Sequence, residues 1–274
     1  MSSLLTNNSA LNALNTLRAV NKGANETQDR ISTGLKVSSG KDNAAYFSIS
    51  KTMSGDSGMY KAIDEGLTLT KNSVATARVG AENVEGLAKQ FAERVAFAQS
   101  DTADRGKVQE ELDELSARIQ TTIDQSSFNG QSLVSGPASA QTVVTGVSRA
   151  GGSFQTTSIT FNSVDLAAIQ STLANIDINT AGDISAQLQA AEGALSDSID
   201  AATSLGIAEK SIETQKEFLT KLSTNLDMGV GAMVDADMEA EAARSQSFKV
   251  QQQLATQSLS MANQAPQNLM SLFR

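Results

Sequence analysis

The chain has 274 residues with 30 acidic and 21 basic side chains, a formal charge of −9, and no histidine, cysteine or tryptophan. Those absences exclude Ser-His-Asp and Cys-His nucleophile systems, HExxH zinc sites, disulfides and thiolate metal centres. The acidic balance argues against non-specific nucleic-acid binding, which needs Lys and Arg to neutralise phosphates.

Apolar residues make up 40% and aromatics only 4%, so the core should be thin and spread along helices. No apolar run approaches the ~18–20 residues of a membrane span. The N-terminal stretch MSSLLTNNSALNALNTLRAVN lacks the basic start and the ~7–15-residue apolar block of a secretory signal. Export would then use a route without that signal.

In chain order, Ala10, Leu17, Ala24 and Ile31 repeat every seven residues, supported by Leu14, Val20 and Leu35. That spacing predicts a first amphipathic helix. Val74, Ala77, Ala81, Val84, Ala88, Phe91, Val95 and Ala98 then form an unbroken heptad seam. A further helix is expected from Val108, Leu112, Leu115, Ile119 and Ile123, with SDTADRG (100–106) as the turn between antiparallel partners. The carboxylates of EELDEL (110–115) fall on the polar face of this helix. In SGDSGMYKAIDEG (54–66) no Lys-Ser/Thr follows the glycines, so no phosphate loop is supported.

The middle differs in kind. Between Asp124 and Asp177 the only charged residues are Arg149 and Asp165, and residues 126–163 hold 14 Ser or Thr. QTVVTGVS and SFQTTSITF alternate in the manner of strands around the turn signal RAGG, which predicts a hairpin-bearing module. Its exposed Ser and Thr suit a solvated loop, with O-linked glycans as the alternative.

From about Asp183 the helical pattern returns through Ile184, Leu188, Leu195 and Ile199. Ile212, Leu219, Leu226, Met233, Ala240, Leu254 and Met261 then share one lattice, interrupted at Ser247, with Leu222, Ala236, Ala243 and Val250 as companions. Gly229 and Gly231 predict a joint in this stretch, since each weakens a helix by about 1 kcal/mol relative to Ala. The only prolines are Pro137 and Pro266, which leaves two long stretches free of the strongest helix breaker. VDADMEAEAAR (234–244) places Asp235, Asp237, Glu239 and Glu241 at alternate positions. Ala240 and Gln246 stand where an EF-hand needs Gly and Glu, so no calcium loop is expected. Met228, Met233 and Met238 suit gap-filling in a helix interface.

Charge follows the same division. Residues 1–60 carry six basic and four acidic side chains, residues 61–234 carry twelve and twenty-two, and residues 235–274 carry three and four. Nearly neutral ends with Ala-based seams are marginal helices that order against a partner.

Three stretches resemble one known family. QDRISTGLKVSSGKDNAAYFSIS (28–50) resembles the signature of bacterial flagellins, and SSFNGQSLVSG (126–136) their FNG-x-x-L segment. The run from Leu205 onward is similar to flagellins almost throughout, ending in ANQAPQNLMSLFR (262–274). The resemblance implies a mainly α fold of long antiparallel helices, with a coiled coil formed by the paired N- and C-terminal segments and a small β-hairpin module inserted in the middle. Residues 1–40 and 235–274 would form an inner layer, 41–130 and 183–234 a helical middle layer, and 131–182 a short, variable outer module.

It also implies a role for the seams. Leu11, Leu14, Leu17, Ile31, Leu35, Val250, Leu254, Met261, Leu269 and Leu272 are then candidates for filament-core packing. Val74, Val84, Phe91, Leu112, Ile119, Ile212, Leu219 and Leu226 are candidates for middle-layer packing. The implied function is a self-assembling subunit of the extracellular flagellar filament, without catalytic site, cofactor or metal. It would be exported unfolded through the flagellar type III apparatus with a chaperone, would polymerise at the distal tip, and would meet hook-associated junction and cap proteins, other flagellins being further possible partners. A hook–filament junction protein of the same superfamily is the alternative. Gln90–Val95 keeps Glu93 but lacks both arginines of the motif that innate immune receptors read in many flagellins.

Overall fold

The computed structural model describes residues 7–100, 103–148, 155–179 and 184–271. In chain order these form α1 (Asn8–Thr33), α2 (Ala44–Phe97), α3 (Arg105–Gln125), β1 (Ser127–Phe128), β2 (Gln131–Ser132), β3 (Ala140–Ser148), β4 (Gln155–Asn162), α4 (Leu166–Ala174), α5 (Ile184–Val234) and α6 (Met238–Ser271). At 1.5 Å per residue the 54-residue α2 is about 80 Å long. The mainly α expectation is met. The chain divides into two compact units, one of residues 1–56 and 225–274, the other of residues 57–224. The division falls inside α2 and α5, away from the layer boundaries expected from the sequence.

Helix ends follow local chemistry. Asn7 caps α1 by accepting from the Ala10 N–H at 3.0 Å, which satisfies one of the orphan donors of the first turn. Asn43 does the same for α2, its Oδ1 accepting from Ala45 and Tyr46 at 3.1 Å each. Asp104 and Asp165 cap α3 and α4. At the end of α1, Gly34 takes φ +73° and donates to the Arg30 carbonyl at 2.8 Å, a left-handed cap open to a residue without Cβ.

In the 57–224 unit the heptad seam of α2 is the centre of the core. Val74, Ala81, Val84, Ala88, Val95 and Ala98 have no exposed surface, and Phe91 is 1% exposed. They share one cluster with Leu112, Ile119 and Ile123 of α3 and with Leu205, Ile212 and Leu219 of α5. Gly80 is required by a close approach: a Cβ there would lie 2.6 Å from the Ser126 Cβ. Charges flank the seam. Arg78 joins Glu209 at 2.7 Å and also pairs with Glu82, while Arg94 meets Glu111 at 3.1 Å. Glu213 accepts from Lys71 at 2.9 Å and from Lys210 at 3.0 Å. Those two ammonium groups, Lys71 first, hold its carboxyl down at about 2.

Two hairpins occur. In the FNG motif Asn129 and Gly130 have φ of +51° and +76°, the paired positive values of a two-residue type I′ turn joining β1 to β2. β3 and β4 pair antiparallel with a bulge between Val144 and Gly146. The outer edge of β3 is tied to helices, because Tyr60 donates to the Val147 carbonyl and Gln215 to the Thr145 carbonyl, both at 3.0 Å. The RAGG turn lies outside the described residues.

Three features differ from the sequence reading. Helix α4 went unread; its Leu166, Ile169 and Leu173 are buried, and Gln170 donates to Ser116 of α3 at 3.1 Å. The joint is not at Gly229 and Gly231, which lie within α5. A Cβ at Gly229 would come within 2.8 Å of Met53, and one at Gly231 within 2.6 Å of Asp235, so both are close-packing positions. The helix breaks instead at Asp235–Asp237. That break resets the phase of α6, so the lattice through Leu254 and Met261 does not continue the packed face of α5.

Candidate functional site

The 1–56 and 225–274 unit is built on the antiparallel pair of α1 and α6. Asp237 opens α6 by accepting from the N–H groups of Glu239 and Ala240 at 3.0 and 3.1 Å. Four contacts then run along the pair. Glu241 meets Arg30 at 3.4 Å, the Phe248 ring lies over Gly23, Gln252 donates to Asn21 at 3.0 Å, and Asn7 donates to the Ala262 carbonyl at 2.8 Å. Glu241, Phe248, Ala255 and Ala262 repeat every seven residues and define the inward face of α6.

At one end the pair is clipped. Leu35 and Asp235 form an antiparallel β-bridge. Lys36 donates to the Val234 carbonyl at 2.7 Å, and Ala236 to the Gly34 carbonyl at 2.8 Å. The break after α1 is thus hydrogen-bonded to the break before α6. In the following loop Asp42 Oδ2 accepts from the N–H and hydroxyl groups of Ser38 and Ser39, at 3.0–3.1 Å. The Ser39 N–H is the largest of the causes that hold its carboxyl below the usual range. SSGKDN is therefore a self-bonded turn ending in a helix cap.

Glu241 is 4% exposed. One of its oxygens takes both Arg30 and Arg244, the latter at 2.8 Å, while Oε2 is buried without a partner among the described residues. The acidic run is thus spent on a bridge, a cap and a buried ion pair. No group of three or more Asp or Glu able to hold a metal ion is found among the described residues.

Of the residues singled out for filament-core packing, Leu14, Leu17, Ile31 and Leu35 are half-buried. Leu11, Val250, Leu254 and Met261 are 53, 54, 59 and 61% exposed. Leu272 and the side chain of Leu269 lie outside the described residues. Among the middle-layer candidates Val74, Val84, Phe91, Leu112, Ile119, Ile212 and Leu219 are at most 1% exposed, while Leu226 is half-buried and belongs to the unit of α1 and α6. Gly23, Arg30, Glu241 and Phe248 were missed. Their one signal was that the only glycine of α1 and the only aromatic of α6 fall on the two helices that pair.

A model of the bacterial flagellin N-terminal helical region matches residues 4–139, and one of the C-terminal helical region matches residues 188–273. A flagellin of Brucella melitensis is 36% identical over the full length of both chains. The chain belongs to the bacterial flagellin family. Flagellin FljM of Caulobacter vibrioides is 31% identical over all of this chain and 99% of its own, and Flagellin A of Rhizobium meliloti 29% over all of both.

Flagellin is the structural subunit of the flagellar filament, an extracellular part of the flagellum, and it polymerises with itself. No described helix of this flagellin is long and apolar enough to cross a membrane. The N-terminal match holds α1 to α3 and the FNG hairpin, and the C-terminal match holds α6 and most of α5. Glu93, retained from the receptor motif, is exposed on α2, and Arg94 beside it is engaged by Glu111.

Proposed function

We propose that the α1–α6 pair is the element through which this flagellin polymerises, and that the exposed row of Leu11, Val250, Leu254 and Met261 is covered by neighbouring copies. The observation that carries this is exposure: four large apolar side chains, Leu11 on α1 and Val250, Leu254 and Met261 on α6, are each more than half exposed, on two helices whose facing sides are already packed. Complete burial of such a side chain is worth roughly 1.5–3 kcal/mol, and the gain recurs in every subunit. Contacts of the head-to-tail kind propagate into an open helix when the rotation does not close.

On this reading the paired ends, 1–40 and 235–274, are the inner layer of the filament. Residues 41–130 and 183–234 form the middle layer, and residues 131–182 face outward. The chain travels unfolded through the flagellar type III apparatus, escorted by an export chaperone. It folds at the distal tip beneath a cap protein, and its first copies meet the junction proteins. A sequence without cysteine suits such a route, since no disulfide has to be undone. The protein acts as a building unit and not as a catalyst.

Electron microscopy of purified chain seeded with short filament fragments tests this. Long helical filaments are expected. Growth that stops at short caps on the seeds would favour the junction-protein reading instead.

A further inference from the structure

Phe248 and Gly23 form a contact that no other described residues of the helix pair reproduce. A Cβ at Gly23 would sit 2.6 Å from the Phe248 Cζ and 2.8 Å from its Cε1, so the ring occupies the space that every other residue type fills. Gly23 is the only glycine in α1, and Phe248 is the only aromatic residue in α6. One knob faces one hole.

We propose that Phe248 over Gly23 is the register key of the α1–α6 pair, the contact that decides which turn of one helix meets which turn of the other. Sliding α1 by one turn would bring Ala19, Val20, Glu26 or Thr27 beneath the ring, and sliding by one heptad would bring Thr16 or Arg30. Each of these carries a Cβ where the ring needs room. The rest of the interface does not select so sharply. Ala13, Ala24, Ala255 and Ala262 are small and present no knob of their own. Arg30 on Glu241 assists from the far end, because a slipped pair takes the α1 cation away from a buried carboxylate and leaves it Arg244 of its own helix alone. A single polar or odd-shaped position that fixes register is a known use of such sites in coiled coils.

The inference deepens the filament reading and rests on it. Register determines where Leu11 of α1 stands relative to Val250, Leu254 and Met261 of α6, and so determines the surface shown to the next subunit. Phe248 and Gly23 are positioning residues: they act through the row and do not themselves belong to it.

The chain has no native cysteine, so register can be read by disulfide trapping in the full-length protein before and after seeding. Asn21→Cys is combined in turn with Ser245→Cys, Gln252→Cys or Leu259→Cys, three positions one heptad apart on α6. In the parent background the 21–252 link should dominate. With Phe248→Ala or Gly23→Leu its yield should fall at least threefold, and a 21–245 or 21–259 link should appear. The swap Gly23→Leu with Phe248→Ala, which moves the knob to the other helix, should restore the 21–252 link and polymerisation. If the 21–252 link stays dominant in both single variants, the key is refuted. A single variant that stays soluble is judged by the swap, whose failure to recover filaments also refutes it. Failure of the parent itself to polymerise counts against the filament reading, and the link pattern of the free chain then decides the key by the same criteria.

Discussion

Leu219 and Leu254 are both leucines on long helices, and their substitution should separate the stability of the subunit from that of the polymer. Leu219 is 1% exposed within the α2–α3–α5 core. Its truncation to Ala leaves a cavity and costs about 2–5 kcal/mol. For a unit of this size each kcal/mol moves Tm by about 2–4 °C, so Leu219→Ala should melt some 5–15 °C early by far-UV circular dichroism. Leu254 is 59% exposed. In the free chain Leu254→Asp loses little burial and about 0.5 kcal/mol of helix propensity, a shift of no more than 1–2 °C. If neighbouring copies cover Leu254 as proposed, the same carboxylate is buried unpaired in the filament, at a cost of several kcal/mol. Each 1.4 kcal/mol is tenfold in an equilibrium constant, so the critical concentration in a sedimentation assay should rise at least a hundredfold. If Leu254→Asp chains melt as early as Leu219→Ala chains, or polymerise like the parent, the exposed row has been misassigned.

Three further outcomes follow from the 57–224 unit. The depressed Glu213 carboxyl stabilises the fold above its ordinary value of 4.5, and that contribution is lost as the pH falls from there through about 2; Glu213→Gln should flatten the acid limb of Tm against pH between those values. Gly80→Val should lower stability by about 1–3 kcal/mol through overpacking against Ser126, measured by urea unfolding, despite removing a helix-interior glycine. Tyr60→Phe removes the hydroxyl bonded to the Val147 carbonyl; a loss of about 1 kcal/mol should appear as faster amide exchange across β3 and β4 with little change in the helices.

The heptad seam from Val74 to Ala98 was legible in the sequence because about one residue in each turn is apolar at steps of three and four and nothing interrupts the phase. Hairpin β3–β4 was legible from its β-branched alternation. Helix α4 was not, since nine residues without charge give too few turns to reveal a period. The FNG motif was recognised as family-like before its physics was seen: Asn129-Gly130 is a turn pair that tolerates positive φ at both positions.

The site was legible in its location but not in its orientation. Helix α6 carries two apolar rows, Phe248–Ala255–Ala262 and Val250–Leu254–Met261, and spacing alone does not say which of them meets α1. Glycines at 229 and 231 drew attention to a flexible joint. The actual break, beginning four residues further on at Asp235, is made by Asp237 capping a new helix and by the Leu35–Asp235 bridge, a long-range pairing that no local pattern encodes.

On the proposed reading the exposed apolar residues of the α1–α6 pair become buried when the chain polymerises. Hydroxyl-radical footprinting of free subunit and filament, read at Leu254 and Met261, measures that burial. Strong protection of both side chains in the filament is expected, with Leu219 slow to react in either state. Equal reactivity of Leu254 and Met261 in subunit and filament would contradict it.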